Sequence, residues 1–303
     1  MFIYLSKAQW EYFLHGSGEW RMGVLRLIGI EATLNSPNSL ACTIVLTLPF
    51  LIFLWNIRKE FTATWPPFYK TWFPRFLFFY ALLAISSIGL TNSRSGMLGF
   101  LFFLFLFGLL RGGVKNKFIY LIFILFFLAF LWEVMPEDIQ GRFMTIWNPE
   151  LGPKNAQTSA EGRIEGLLDG IALFKLFPFS GVGIGNFIEN RVYLLNGPPL
   201  QAHNLAGQIL GETGLLGTFS FLVFLFAAFI GCSKIKTKYR EPIFIYTLFN
   251  QFSFACRDGL LLLLFFGLPG HNLLRFNWYL FAIFVSIAIS LFSNLRDVSQ
   301  VSQ

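Results

Sequence analysis

Residues 39–56 read SLACTIVLTLPFLIFLWN, without one charged side chain. A membrane-crossing helix needs roughly 17–25 predominantly apolar residues, so this stretch is long enough to cross a bilayer. Similar apolar runs recur at about 72–90, 96–110, 118–135, 205–232, 242–268 and 276–293. The chain is therefore expected to be all-α, a polytopic transmembrane helical bundle of about seven spans. The run at 96–110 is short and draws on Arg94 and Ser95 at its mouth. Arg257 and Asp258 interrupt the run at 242–268, which is expected to form a helix ending near Ala255 and then an interfacial segment.

Composition agrees with that reading. The 303 residues are 55% hydrophobic and only 13% charged, with a mean hydropathy of +0.62. Soluble domains carry about 25% charged residues. Half that share leaves too few polar groups to cover a water-facing surface. The net charge of +7 would raise nucleic-acid binding in a soluble protein. Here the positive charges have a simpler place in short loops between spans, and no nucleic-acid partner is expected. Cys42, Cys232 and Cys256 lie in or beside apolar runs, with no CxxC or Cys/His ligand spacing. Neither a disulfide framework nor a zinc site is supported. Residues 1–37 carry Trp10, Glu11, Trp20, Arg21 and Arg26 and no apolar h-region, so they do not read as a signal peptide.

The loops set the expected orientation. Arg58, Lys59 and Lys70 fall in 57–71, Arg111, Lys115 and Lys117 in 111–117, and Lys234, Lys236, Lys238 and Arg240 in 233–241. Every second loop is basic, and basic short loops stay in the cytoplasm. The segments 91–95, 136–203 and about 269–275 then face outside, as does the N-terminal segment, while the tail after Asn294 falls inside.

The loop 136–203 is polar, with Gly, Pro, Asn and charges of both signs, acids in slight excess. Within it, Ile164, Leu167, Leu168, Ile171 and Phe174 recur at helical spacing, which predicts an amphipathic helix from Glu161 to Phe177 ended by Pro178. Such a helix would lie along the membrane surface.

Several polar groups on the outer side could carry chemistry. Arg94 sits in the turn Thr91-Asn92-Ser93-Arg94-Ser95-Gly96, either to grip an anion or to snorkel to headgroups. Gly162-Arg163 would open the surface helix, where free N–H groups and a planar guanidinium suit a phosphate; a solvated surface charge is the alternative. Gly181-Val182-Gly183-Ile184-Gly185 invites a dinucleotide reading, but no strand precedes it and no βαβ unit surrounds it. A Gly-rich turn leading to the next element fits better. His203-Asn204 marks the re-entry into the membrane, and Glu212 follows nine residues later, so on a helix the two would not be stacked. Histidine can exchange a proton near neutral pH. A carboxylate inside a span is costly unless paired or wet, so Glu212 is a functional candidate, with helix-packing glue as the alternative. His271, with Asn272 and Arg275, could line the same cavity.

Two cations and a base above a ring of lipid-facing helices suit the gripping of a lipid-linked phosphate or pyrophosphate while a hydroxyl attacks beside it. Arginine offsets charge on the departing phosphate, and histidine accepts the hydroxyl proton. No acidic pair or cluster points to a divalent metal, so a metal-independent reaction without cofactors is expected.

The run GRIEGLLDGIALFKLFPFSGVGIGNF, beginning at Gly162, and the later AHNLAGQILGETGLLG, beginning at Ala202, resemble the O-antigen ligase/O-antigen polymerase superfamily. Its members share an Arg opening a periplasmic helix, a P-x-x-G-x-G-x-x-x-F turn, then H-N and E-x-G-x-x-G. Upstream, RLIGIEATLNSPNSLA from Arg26 and SRSG from Ser93 are similar to further motifs of the family. The resemblance covers most of the chain from about Arg26 onward.

It implies many transmembrane helices with a large periplasmic loop of helices; with the spans and loops read above, residues 1–37 form a periplasmic N-terminal segment, 38–135 transmembrane helices 1–4, 136–203 the periplasmic catalytic loop, and 204–303 helices 5–7 with a cytoplasmic tail. It implies a multi-pass protein of the bacterial inner membrane, active on the periplasmic face. The implied reaction is inverting, metal-independent transfer of a glycan from undecaprenyl diphosphate to a sugar hydroxyl on lipid A-core or a similar acceptor. Membrane lipid and both substrates are the expected partners. By resemblance Arg94 and Arg163 contact the donor diphosphate, His203 activates the acceptor, and Arg26 is a further basic position near the cavity. Asn204, Glu212 and His271 join them as expected substrate-binding residues. Family members usually have more spans than the about seven read here, which leaves a mis-assigned start, a fragment lacking N-terminal spans, or a shorter member.

Two rivals remain open. A polymerase would join repeat units to one another, and the motifs do not separate it from a ligase. A transporter, as some superfamily members linked to inorganic carbon uptake, should show charges or broken helices near the bilayer midplane, where Glu212 and Arg257-Asp258 are the candidates.

Overall fold

The computed structural model describes residues 1–21, 23–30, 34–110, 117–134, 140–141, 144, 154–235 and 243–301. Most of the basic loops expected at 111–117 and 233–241, and the first part of loop 136–203, fall outside those residues. The protein is helical almost throughout, as expected. In chain order it has α1 (Phe2–His15), a small hairpin of β1 (Glu19–Arg21) and β2 (Val24–Arg26), α2 (Pro37–Phe61), α3 (Pro67–Leu90), and α4 (Arg94–Phe105) with a π turn at Leu106–Leu110. Then follow α5 (Lys117–Val134), α6 (Lys154–Leu176), α7 (Phe187–Leu195), α8 (Leu205–Ile235), α9 (Ile243–Gly267) and α10 (Asn277–Val301).

Every apolar run read from the sequence lies on one of these helices. Among the described residues four stretches are long and apolar enough to cross a membrane: Pro37–Phe61, Pro67–Leu90, Leu205–Lys234 and Thr247–Gly267. Arg94–Gly108 and Asn277–Ser293 are shorter apolar helices. One expectation fails. The run at 242–268 does not stop near Ala255; α9 continues to Gly267 through Arg257 and Asp258. Arg257 donates from Nε and Nη2 to Asp258 Oδ1 at 3.0 and 2.7 Å, so the two charges meet each other inside the helix.

The chain divides into two compact units. The first holds Met1–Lys115, Ile230–Leu262 and Phe281–Gln303. Its centre is α2, where Leu40, Ala41, Ile44 and Val45 are fully buried. Ser36 caps that helix and Pro37 starts it, because proline lacks an N–H that the first turn would leave unpaired anyway. Gly96 of α4 comes so close that an added Cβ would meet the Ala41 side chain. Phe50, Phe252, Phe281 and Phe284 form an aromatic cluster with centroids 5.6–6.1 Å from Phe50.

The second unit holds Asn116–Phe229 and Leu263–Leu280. Helix α6 begins at Lys154, seven residues before the Glu161 expected, and stops at Leu176, two residues before Pro178. Its buried face also differs from the expected one. Ile164 and Leu168 stay exposed, while Gly166, Gly170 and Leu173 are buried. The reason is backbone approach. An added Cβ at Gly166 would strike the Ala202 backbone, and one at Gly170 the backbone of Gly207 in α8. Small residues four apart let two helices touch without side chains between them.

Helix α8 is broken at Gly214, whose φ of 60° and ψ of −156° are not helical. The Gly-rich turn fills the break. Val182 and Gly183 donate their N–H groups to Gly211 O and Glu212 O at 2.9 Å each, and Pro178 O and Phe179 O accept from Leu215 and Leu216 at 2.8 and 3.1 Å. Gly181, at φ 66°, packs where a Cβ would meet the Glu212 backbone. The two glycine motifs noted in the sequence are thus one structure, each satisfying the other's open backbone groups.

The glycine contact makes a graded prediction. Gly170→Val should prevent stable folding, because the obstructing atoms are backbone and cannot swing aside; overpacking of yielding side chains alone costs about 1–3 kcal/mol. Gly162→Ala in the same helix meets nothing within 4 Å and should be neutral or stabilising by about 0.5–1 kcal/mol. Yield of detergent-extracted monodisperse protein separates the two, and equal yields would refute the close approach.

Candidate functional site

In the first unit, Arg94 opens α4 directly after Ser93, whose hydroxyl accepts from Gly96 N at 3.2 Å. The expected polar turn is therefore a helix cap. Arg26 is 6% exposed. It donates to Thr91 O at 3.0 Å and Asn38 Oδ1 at 3.2 Å, and its Nη1 lies 3.6 Å from Glu19 Oε1. Ser93 Oγ donates to the same Asn38 oxygen at 2.8 Å. Arg26 thus ties the hairpin to the turn that ends in Arg94, and its guanidinium is held in structural bonds.

In the second unit, Arg163 lies nine residues into α6. This corrects the expectation that it opens the helix; the free N–H groups of a helix start are not beside it. Arg163 is half-buried and donates Nε to Pro269 O at 3.2 Å. Among the described residues no carboxylate pairs with it, which leaves its terminal nitrogens for an anion.

His203 stands just before α8, in the left-handed region at φ 51°. That conformation is uncommon for a residue with a Cβ, so His203 is not on the helix with Glu212, and helical spacing does not relate the two. Its ring meets that of His271 edge to face, with centroids 5.3 Å apart. Burial and the neighbouring charges of Arg163 and Arg191 hold the His203 pKa below its ordinary 6.5. Burial, His203 and Arg275 push His271 down to about 4. Both imidazoles are neutral at pH 7, the form that can take a proton.

Asn204 caps α8. Its Oδ1 accepts from Gly207 N at 2.6 Å, and its Nδ2 donates to Arg163 O at 2.9 Å and Ala202 O at 3.1 Å. The residue next to His203 thus fixes α6 to the start of α8. Glu212 is 1% exposed. Gln208 Nε2 donates to its Oε2 at 3.4 Å, and the N–H groups of Gly185 and Phe187 are directed at its carboxyl. Among the described residues no group of three or more His, Cys, Asp or Glu could hold a metal ion.

Two residues were not singled out in the sequence. Arg191 of α7 is 1% exposed and joins Asp169 at 2.5 Å and Glu165 at 3.3 Å, both on α6. It also donates to Leu200 O at 3.4 Å, on the strand of chain leading to His203. The slight excess of acids in the loop was its one trace. Gln208 had no trace at all, since a glutamine in a helix signals nothing without its neighbours.

The fold defines a membrane protein whose second unit sets a half-buried arginine beside two neutral histidines. Residues 79–222, which include that arginine and His203, match the family model described as O-antigen ligase. No curated protein and no solved structure matches it. The match supports a glycan-processing role of the O-antigen ligase or polymerase type.

Proposed function

We propose that the protein is a ligase-type glycosyltransferase that moves a glycan from undecaprenyl diphosphate to a sugar hydroxyl of lipid A-core or a similar acceptor. The observation that carries this reading is Arg163, half-buried and with no carboxylate partner among the described residues, beside His203 held neutral. The acceptor oxygen attacks the anomeric carbon and its proton passes to His203. The bond from that carbon to the diphosphate oxygen breaks, the electron pair leaves with undecaprenyl diphosphate, and the configuration inverts. Arg163 offsets the charge gathering on the diphosphate without a metal, and Arg94 is proposed as a donor contact by the family resemblance alone. His271 lines the acceptor side. Arg26, Asn204 and Glu212 serve the substrates indirectly, by holding these groups in place.

Placing residues 91–95, 136–203 and 269–275 on the periplasmic face of the inner membrane rests on the basic residues of the alternate loops. The exposed Ile164 and Leu168 of α6 suit a helix lying on lipid. The division into an N-terminal segment to 37, helices to 135, a catalytic loop to 203 and C-terminal helices belongs to the same reading. The break at Gly214 could favour a transporter, but its open backbone groups are taken by residues 178–183.

Deletion followed by gel separation of surface glycolipids tests the proposal. Loss of long glycan with accumulation of lipid-linked polymer is the expected result. Caps of a single repeat would mean a polymerase instead, and unchanged glycan with a carbon-uptake defect would mean a transporter.

A further inference from the structure

Gln208 lies one turn into α8 and is 3% exposed. A primary amide buried there has two faces that cannot be exchanged. On one side Glu212 Oε2 takes Nε2–H at 3.4 Å. On the other, the Leu273 N–H, which only donates, gives to Oε1 at 3.3 Å. The one-way donor at Leu273 holds Oε1 on its own side and so turns Nε2 to Glu212, which locks the amide in a single orientation. Glu212 is itself held at the break in α8, against the N–H groups of Gly185 and Phe187.

The consequence reaches the site through the segment 268–276. Leu273 lies two residues from His271, whose ring packs on His203. Four residues upstream, Pro269 O accepts Nε of Arg163. The same segment is tied by Asn272 Nδ2 to Leu263 O at 2.8 Å and by Trp278 Nε1 to Asn272 O at 2.8 Å. Those two bonds lie within the segment and its own flanking helices. The Gln208 bond joins α8 to this segment, so it fixes the segment against the helix that His203 precedes.

We infer that Gln208 is a positioning residue for glycan transfer, locked by Glu212, which sets the 268–276 segment so that Arg163 and His271 meet the donor diphosphate and the acceptor correctly. The inference rests on the transfer reading given above. It adds a role for the buried Glu212, which orients an amide and does not touch substrate.

The test uses the full-length chain in proteoliposomes, with undecaprenyl-diphosphate-linked polymer as donor and lipid A-core as acceptor. Gln208→Leu keeps the volume and removes both bonds. It should raise KM for the donor about tenfold, because Arg163 loses its fixed carbonyl partner. A merely structural loss lowers the number of active molecules and leaves KM unchanged. Gln208→Glu alone sets two carboxylates against each other and should show the same defect.

The paired exchange Gln208→Glu with Glu212→Gln restores both directions. The carboxylate at 208 accepts from Leu273 N and from the amide at 212, whose oxygen remains for Gly185 and Phe187. Recovery of the wild-type KM in the exchange, as a double-mutant coupling, is the expected result. An unchanged KM in active Gln208→Leu, or a paired exchange no better than Gln208→Glu alone, overturns the positioning role. A wild-type protein that transfers nothing from the lipid-linked donor overturns the transfer reading and this role with it.

Discussion

Replacing His203 by alanine should abolish glycan transfer while the protein still reaches the membrane. A positioned general base contributes about 10²–10⁴-fold, and no other described histidine stands before α8 to replace it. His203 also occupies a left-handed backbone position, so alanine adds strain unrelated to chemistry. His203→Asn avoids that, because asparagine tolerates this region better than most residues. Both variants should lose activity to the same floor. Activity retained in His203→Asn would show that backbone shape, and not the imidazole, was what mattered. Arg163→Ala should likewise abolish attachment, through loss of the diphosphate grip. The pH dependence has a definite sign. Because the His203 pKa lies below 6.5, the base form persists as pH falls past that value, so wild-type transfer should hold at pH 6.5 and fail only at lower pH.

The second large effect concerns stability. Removing Asp169 should hurt more than removing the arginine it binds. Arg191 is 1% exposed, whereas its partners keep 25% and 56% of their side-chain surface. Asp169→Ala leaves a buried cation with only Glu165 and a carbonyl, and loss of one partner of a buried pair costs about 3–5 kcal/mol. Arg191→Met leaves two carboxylates that water can reach, and a side chain at home in the same cavity. Its cost should be about 1–2 kcal/mol, mostly the lost hydrogen bonds. Thermal midpoints in detergent should therefore fall in the order wild type, Arg191→Met, Asp169→Ala. The reverse order of the two variants would contradict the clamp.

Most of the helices could be read directly from the chain. Residues 39–56 became α2 because hydropathy over one span length is a local property. The order of the site motifs along the chain was equally visible. What stayed hidden was non-local. Gly166 and Gly170 sit in a helix whose apolar residues advertised a different face, and only the backbone of Ala202 and Gly207 reveals why the glycines are buried. The same holds for Arg191, whose acids lie 22 and 26 residues away. Arg163 was expected at a helix start because the apolar periodicity begins near Glu161. The helix itself begins at Lys154, where polar residues carry no periodic signal.

The break in α8 bears on how the protein is made. A ribosome delivers residues 178–183 before it delivers 211–216, so the turn must wait for its helix. Until they meet, the break leaves two carbonyls and two N–H groups without partners, each worth several kcal/mol in hydrocarbon. The segment 205–235 is therefore a poor passenger on its own and a good one once the preceding loop has returned to it. Insertion and folding of this region are coupled in time, and truncations that end between Gly214 and Ile235 should be retained by the insertion machinery longer than those that end before Leu205.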